Sequence, residues 1–170
     1  MTKEELRRRL DETRKQLLDA ISQLTEEQMY RRVETGEWSV AEILAHLPNA
    51  ERWLRSQAEA IRQREGARIR FLSEQERQES AGQALRMVPP QIIHDLIGAR
   101  WQTTKFLDSL TAAELDKAGV HSQIGAMTIA AIIEVIGRHE ADHTRQVLRL
   151  RQKRQVLRLR QKMEVSSIPG

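Results

Sequence analysis

Five signals for helix N-termini constrain the fold of this 170-residue chain more than any other feature of its sequence. Each is a capping box. A Ser or Thr hydroxyl can accept a hydrogen bond from the backbone N–H three residues later, where a Glu or Gln side chain reaches back to the cap. The five pairs are Thr2 with Glu5, Thr25 with Gln28, Ser39 with Glu42, Ser73 with Glu76, and Thr111 with Glu114. These recurring helix-start signals predict a chain built from helices.

Apolar residues at spacings of three and four indicate four long helices, with predicted spans of 3–23, 39–65, 89–110 and 127–160. Alternating patterns are nearly absent, and "RIRFL" at 68–72 is short and isolated, so we expect no sheet. The predicted class is all-α, and the arrangement is a four-helix bundle with an extended C-terminal helix. The predicted inward stripes are Leu6, Leu10, Leu17, Ile21 and Leu24; Ile43, Leu47, Ala50, Leu54, Ala58 and Ile61; Ile93, Ile97 and Trp101; and Ile129, Ile132, Ile136, Val147 and Leu150.

The composition of the chain excludes several kinds of site. The chain has no cysteine, which excludes disulfides, thiolate zinc sites and a cysteine nucleophile. Its length suits one domain with a sizeable core. No apolar run approaches a membrane span and the start carries no signal-peptide pattern, so we expect a cytoplasmic protein without a membrane partner.

Basic charge is concentrated in a duplicated segment near the C-terminus. "RQVLRLRQK" occupies 145–153 and recurs unchanged at 154–162. Between Arg145 and Lys162 there are eight basic residues and no acidic one, so the net charge of +4 becomes 4 − 8 = −4 for the rest of the chain. A nucleic-acid partner is therefore not expected from the high isoelectric point alone.

The second copy cannot continue the inward stripe of the first along a straight helix. Nine residues rotate a helix by about 900°, or two and a half turns. We therefore expect residues 1–152 to form the bundle and residues 153–170 to form a basic helical extension with a frayed tail. The extension is either a bare duplication or a basic contact surface for a partner, an anionic lipid or a nucleic acid.

Three histidines interrupt these inward stripes. His139 and His143 are four residues apart and continue the last stripe, so both imidazoles share one face. His46 lies three residues after Ile43 and four before Ala50, again facing inward. Each is either a core histidine with its own hydrogen bond or a ligand of one shared metal. An unsatisfied buried polar group costs about 1–3 kcal/mol. Three imidazoles with an open position describe a catalytic Zn, Ni, Cu or Fe site.

The run "HEADH" at 139–143 also matches the zinc-protease motif H-E-x-x-H, in which Glu140 would be the general base. A peptidase is not favoured, because no strand is predicted to bind a peptide and the third ligand lies upstream. Glu140 is then expected to be a solvated charge beside Arg138 or Thr144. We expect His94 to face sideways from its helix and His121 to lie in a surface loop.

Two segments resemble a known family. "EWSVAEILAHL" at 37–47 and "GAMTIAAIIEVIGRHEADHTRQVLRLRQ" at 125–152 are similar to the DinB-like, or YfiT-like, superfamily of bacterial proteins. The shared patterns are W-S-x-x-E-I-L-x-H-L and H-x-x-x-H-x-x-Q-[IV]. Over residues 1–152 the resemblance implies up-down-down-up bundle topology. It also implies a metal triad that maps to His46, His139 and His143. The duplicated segment departs from the family pattern.

The resemblance further implies a metal-dependent enzyme. Members include S-transferases that use low-molecular-weight thiols such as bacillithiol, mycothiol or glutathione, a thiol-dependent isomerase, and metal-dependent hydrolases. We expect a thiol S-transferase with Zn, Ni or Fe, a small-molecule substrate and a homodimeric assembly. A hydrolase, or a non-enzymatic helical interaction protein, is the alternative. A bound metal would lower the pKa of the cofactor thiol. Glu42, one turn before His46, is a candidate to orient it, although the capping box also explains Glu42.

Overall fold

The chain folds as a bundle of four long helices in a computed structural model that describes residues 1–166. The four long helices agree with the four predicted spans within a few residues, except that the last helix continues six residues past its predicted end at 160. The expected frayed tail begins inside this helix, and its residues 167–170 lie outside the described residues. The helices are α1 (Lys3–Ile21), α2 (Glu26–Tyr30), α3 (Val40–Gln63), α4 (Glu74–Gly82), α5 (Pro89–Ser109), α6 (Ala112–Leu115) and α7 (Ile129–Ser166), with a short 3-10 helix at Gln83–Arg86.

All five predicted capping boxes form. At the start of α3, Ser39 Oγ accepts from the Glu42 N–H at 3.1 Å, and the Glu42 carboxylate accepts from the Ser39 N–H at 2.7 Å. Helix α7 begins differently, directly after a strand, where Thr128 Oγ1 accepts from the Ala131 N–H at 3.1 Å. The helix starts are therefore encoded locally.

Contacts between the long helices give the predicted up-down-down-up topology. Helices α1 and α7 are parallel neighbours, α3 and α5 are parallel neighbours, and α3 packs antiparallel to α7. Helices α1 and α5 close the ring but share far fewer contacts than the other neighbours. The directions follow from these pairs: Arg9 with Glu134 and Arg151 with Ala20; Arg52 with Asp95 and Arg62 with Ser109; Trp38, just before α3, with His143, and His46 with His139.

The expectation of no sheet is wrong, because a small three-stranded sheet closes one end of the bundle. Its strands are β1 (Arg68–Ile69), β2 (Ala118–His121) and β3 (Gly125–Thr128), in the order β1-β2-β3. Strand β1 pairs parallel to β2, and β2 forms an antiparallel hairpin with β3. Strands of two to four residues are too short to show alternation, and β1 finds its partner far along the chain.

The sheet is held against the end of α3 by close packing. Ala67, Ile69 and Met127 are buried in the same apolar cluster as Ile61 of α3. A side chain at Gly119 would place its Cβ 2.8 Å from the Ala67 carbonyl oxygen and from Ile61. Only glycine allows this approach, so the backbone of β2 lies directly on the helix end.

The predicted stripe on α5 is also wrong. Ile97 and Trp101 are each 55% exposed, whereas Ile92, Leu96 and Thr103 are buried. The buried face contains a threonine and an arginine, which made it look polar in the sequence. The true face begins one residue earlier than the predicted one.

A layer of buried charges crosses the bundle. It takes one residue from each long helix: Arg14 of α1, Glu51 of α3, Arg100 of α5 and Glu140 of α7. The Glu140 carboxylate accepts from Arg14 at 2.7 Å and from Arg100 at 2.8 Å, and Glu51 accepts from Arg100 at 2.9 Å. Glu140 is only 2% exposed, so the expectation of a solvated charge is wrong.

The same two arginines bridge the loosely packed pair α1 and α5. Arg14 donates to the carbonyl of Leu96 on α5, and Arg100 donates to the carbonyl of Leu10 on α1. Burial acts to lower the pKa of Arg100, but Glu51 and Glu140 outweigh it and raise that pKa above its ordinary value. The charge layer separates two apolar clusters, one on either side along the bundle.

The duplicated segment behaves as its helical phase predicts. In the first copy Val147 and Leu150 are fully buried, while in the second copy the apolar side chains Val156, Leu157 and Leu159 are exposed. No helix within residues 1–166 is long and apolar enough to span a membrane. Contacts of this segment with the rest of the protein include Lys153 with Glu34 at 3.0 Å and Arg154 with the Arg31 carbonyl at 3.1 Å.

Candidate metal centre

The three predicted ligands converge on one point between α3 and α7. His46 Nε2 lies 3.4 Å from His139 Nε2, which lies 3.2 Å from His143 Nε2. The three ligand nitrogens are all within 4.8 Å of one another. His46 is buried and the other two are half-buried. The antiparallel packing of α3 on α7 brings His46 opposite the i, i+4 pair.

A hydrogen-bond chain fixes the tautomer of His46. Its Nδ1 lies 2.7 Å from Ser80 Oγ, and that hydroxyl donates its proton to the Arg77 carbonyl at 2.8 Å. Ser80 can therefore only accept from His46, so the ring proton is on Nδ1. The lone pair of Nε2 then points to the other two histidines, as a metal ligand requires.

His143 is held in the same way by its own helix. Its Nδ1 lies 2.8 Å from Gln146 Oε1, three residues later on α7. The amide oxygen accepts a hydrogen bond from Nδ1–H, so the lone pair of Nε2 is free to coordinate a metal. Without a metal, an Nε2–H of His139 can donate to the Nε2 of only one of the other two rings at a time, whereas a shared cation accepts the lone pairs of all three. The donor set therefore fits a divalent ion.

Burial keeps the three histidines neutral. Burial, and then the charges of the neighbouring histidines and Arg77, lowers the pKa of His46 to about 3. Burial also lowers the pKa of His139 to about 4 and lowers the pKa of His143. All three rings are thus deprotonated at neutral pH, the state that binds metal.

Glu42 is not placed beside the site. Its carboxylate caps α3 and accepts from Arg32 Nε at 3.0 Å, while the hydrogen-bond partner of His46 is Ser80 of α4. Sequence reasoning missed Ser80 because it lies 34 residues from His46 and carries no motif. It also gave no role to Gln146, although the family pattern H-x-x-x-H-x-x-Q contains that residue.

A small apolar pocket opens beside the histidines. It has a volume of about 180 Å³ and Arg77 at its wall. Trp38 packs on the histidines themselves, with ring centroids 5.1 Å from His46 and 6.1 Å from His143. No carboxylate occurs among the pocket-lining residues that the structure describes. These are His46, Ala50, Trp53, Leu54, Phe71, Leu72, Arg77, Val135 and His139.

The remaining histidines and Glu140 lie outside the pocket lining. His94 is exposed on α5, which agrees with its predicted sideways orientation. The expectation of a surface His121 is wrong, because the hairpin buries it with its ring 4.8 Å from Phe71. His121 Nδ1 accepts from two backbone N–H groups of the turn, which is a structural role. Glu140 is engaged by two arginines and cannot serve as the base of a peptidase.

Sequence comparison gives a family match. The DinB superfamily pattern matches residues 9–147. A Geobacillus kaustophilus protein named "Putative metal-dependent hydrolase" is 27% identical over 141 residues, which are 81% of this chain and 77% of that protein.

Solved structures show the same fold. YfiT from Bacillus subtilis is described as "a probable metal-dependent hydrolase with an unusual four-helix bundle topology". It superimposes with a TM-score of 0.75 at 18% identity, over 89% of this chain and 86% of YfiT. A mycothiol-dependent maleylpyruvate isomerase superimposes with a TM-score of 0.70 at 11% identity, over 85% of this chain and 60% of the isomerase. At such identities the likeness establishes the bundle fold.

Proposed function

The chain belongs to the DinB superfamily, and on that basis we propose that it is a divalent-metal-dependent enzyme whose ion is held by His46, His139 and His143. The observation that carries the proposal is the convergence of three Nε2 atoms within 4.8 Å. The Nδ1 atoms of two of these rings are held by Ser80 and Gln146. Three neutral imidazoles suit Zn, Ni or Fe and leave a coordination position for a ligand.

The reaction we propose is S-transfer from a low-molecular-weight thiol to a small electrophilic substrate. A bound divalent ion supplies Lewis-acid chemistry that lowers the pKa of a thiol. The chain has no cysteine to serve as its own nucleophile, and the described pocket wall has no carboxylate to serve as a general base. A thiol whose pKa is lowered in this way would lose its proton to solvent without either group, and its sulfur would bond to the electrophilic carbon as the leaving group of the substrate departs. The wall of the pocket is mostly apolar and suits an apolar substrate body. The mycothiol dependence of one fold relative is compatible with this choice.

A metal-dependent hydrolase is the second candidate, supported by the names of the Geobacillus protein and of YfiT. A bound divalent ion would lower the pKa of water as it would that of a thiol, so the missing carboxylate does not separate the two candidates, and the thiol requirement of the reaction does. The proposal also includes a cytoplasmic location and a homodimer. The exposed Ile97 and Trp101 on α5 support an interface there.

The test uses protein purified without an affinity tag and loaded with Zn, Ni or Fe. Monobromobimane serves as the electrophile, with bacillithiol, mycothiol, glutathione or no thiol. We expect a rate above that of the metal-free protein with at least one thiol. His143→Ala should lose the rate, whereas His94→Ala, on the exposed face of α5, should keep it. Equal rates with and without metal would refute the transferase, and thiol-independent ester cleavage that requires metal would favour the hydrolase.

A further inference from the structure

The charge of the pocket is unbalanced. Three histidines are neutral ligands, so a divalent ion bound by them would keep its full charge. Among the described residues that line the pocket, Arg77 adds a further positive charge and none adds a negative one. Most of the other lining side chains are apolar. A positive side chain at the wall beside a divalent ion favours an anionic ligand over a neutral one.

Arg77 is near the centre and available for a ligand. It lines the same pocket as His46 and His139, and its charge contributes to the lowered pKa of all three histidines. Its guanidinium pairs with Glu74 of the same helix, and both side chains are about half-exposed. Exposed pairs of this kind contribute little, so a ligand can compete with Glu74 for Arg77.

The neighbouring arginines are already occupied by protein partners. Arg70 holds Glu76 through two bonds of 2.7 and 2.8 Å and lies 4.3 Å from the Trp53 ring centroid. This arrangement fixes Trp53 as a wall of the pocket. Arg52 pairs with Asp95 of α5 and is not part of the pocket lining. Arg77 lines the described pocket, and its partner Glu74 is more exposed than Glu76 or Asp95, so Arg77 is the cation that a ligand there can engage most readily.

We infer that the substrate is a small apolar molecule with one carboxylate, and that Arg77 binds this carboxylate beside the metal centre. This inference rests on the proposed function, because it places the substrate in the pocket of the three-histidine site. A guanidinium matches the two oxygens of a carboxylate, and the small pocket leaves room for a compact anion. Arg77 thus selects the substrate, while the apolar wall binds the rest of it.

The test is isothermal titration calorimetry of the zinc-loaded protein with 3-phenylpropionate and with 3-phenylpropanol, which lacks the charge. Wild type should bind the carboxylate at least about tenfold more tightly than the alcohol, the usual range for a charged hydrogen bond. Arg77→Gln should reduce that preference by about tenfold in the zinc-loaded protein, where the zinc itself still attracts a carboxylate, and should leave the alcohol unchanged. Arg77→Lys should retain more of the preference than Arg77→Gln. The matched control Arg52→Gln removes the same charge nearby and should keep the preference.

The zinc content of each sample separates this inference from the proposed function. If Arg77→Gln keeps its zinc and still binds the carboxylate as tightly as wild type, the inference is wrong and the metal centre stands. A wild type that prefers the alcohol, or binds neither probe, also overturns it. If no sample binds zinc, the proposed function fails, and the same titrations on metal-free protein still decide whether Arg77 holds the carboxylate.

Discussion

The behaviour of single residues at the centre is decided by hydrogen bonds on the far side of each ring. Ser80 and Gln146 accept the Nδ1 protons of His46 and His143 and so aim both Nε2 lone pairs at one point. The convergence of the three histidines could be predicted from their helical spacing. Ser80 could not, because nothing near position 80 of the sequence reveals that α4 folds over His46.

Replacing Ser80 with Ala removes the acceptor that orients His46. Loss of such a partner commonly lowers metal affinity by about 10- to 100-fold, and we expect a loss in that range with unchanged helical content. Competition with a chromogenic chelator measures it. Glu42→Gln is the control, since its contacts are with Arg32 and Ser39, and its zinc affinity should match wild type. A loss of zinc affinity larger in Glu42→Gln than in Ser80→Ala would show that Glu42 supports the metal site.

Glu140 is a second residue whose role was not visible in the sequence. Replacing it with Gln leaves Arg14 and Arg100 without half of their compensating charge. Breaking a buried ion pair typically costs about 3–5 kcal/mol, and urea unfolding should show a loss of that order. Glu134→Gln, whose partner Arg9 is exposed, should change stability by less than about 1 kcal/mol. A Glu140→Gln protein of full stability that retains its metal but lacks activity would instead support a catalytic base.

At the scale of elements, the helix starts depend on local sequence signals, whereas the strand pairing and the buried face of α5 depend on distant residues. The five capping boxes need only four consecutive residues each, so the helix starts could be predicted. The pairing of β1 with β2 joins Arg68 to Val120, and no local pattern announces it. The buried face of α5 is not apparent from the sequence, because its polar members Arg100 and Thr103 have partners on α1 and α3.

The extension of α7 provides an element-scale prediction. Deleting 154–162 removes four positive charges and brings the formal net charge from +4 to 0. Because Val156, Leu157 and Leu159 are exposed, we expect the free energy of unfolding to change by less than about 1 kcal/mol and metal binding to be unchanged. Chemical denaturation and metal analysis of the deletion variant measure both. Loss of either property would show that the second copy is part of the bundle.

For the whole molecule, the buried histidines couple stability to pH. The pKa of His46 falls to about 3 and that of His139 to about 4, against about 6.5 in an unfolded chain. Between these values the unfolded chain binds protons that the fold rejects, so stability decreases as the pH falls. From pH 7.5 to 5.5 the metal-free protein should lose about 1 kcal/mol for each such histidine.

Urea unfolding at several pH values measures this slope. His46→Gln should reduce it between pH 7 and pH 5, whatever its effect on absolute stability. His94→Asn, which changes an exposed histidine, should leave the slope as in wild type. An unchanged slope in His46→Gln would show that this ring is protonated in the folded protein.

The central claim is that His46, His139 and His143 form one metal site, and elemental analysis of protein purified without an affinity tag tests it most directly. We predict one divalent ion for each chain in wild type and none in His46→Ala, His139→Ala or His143→Ala. Each variant should retain helical circular dichroism, and His121→Ala should keep its metal if it folds. Wild-type protein that remains metal-free after incubation with Zn, Ni and Fe, or a His143→Ala variant that binds as much metal as wild type, would contradict the claim.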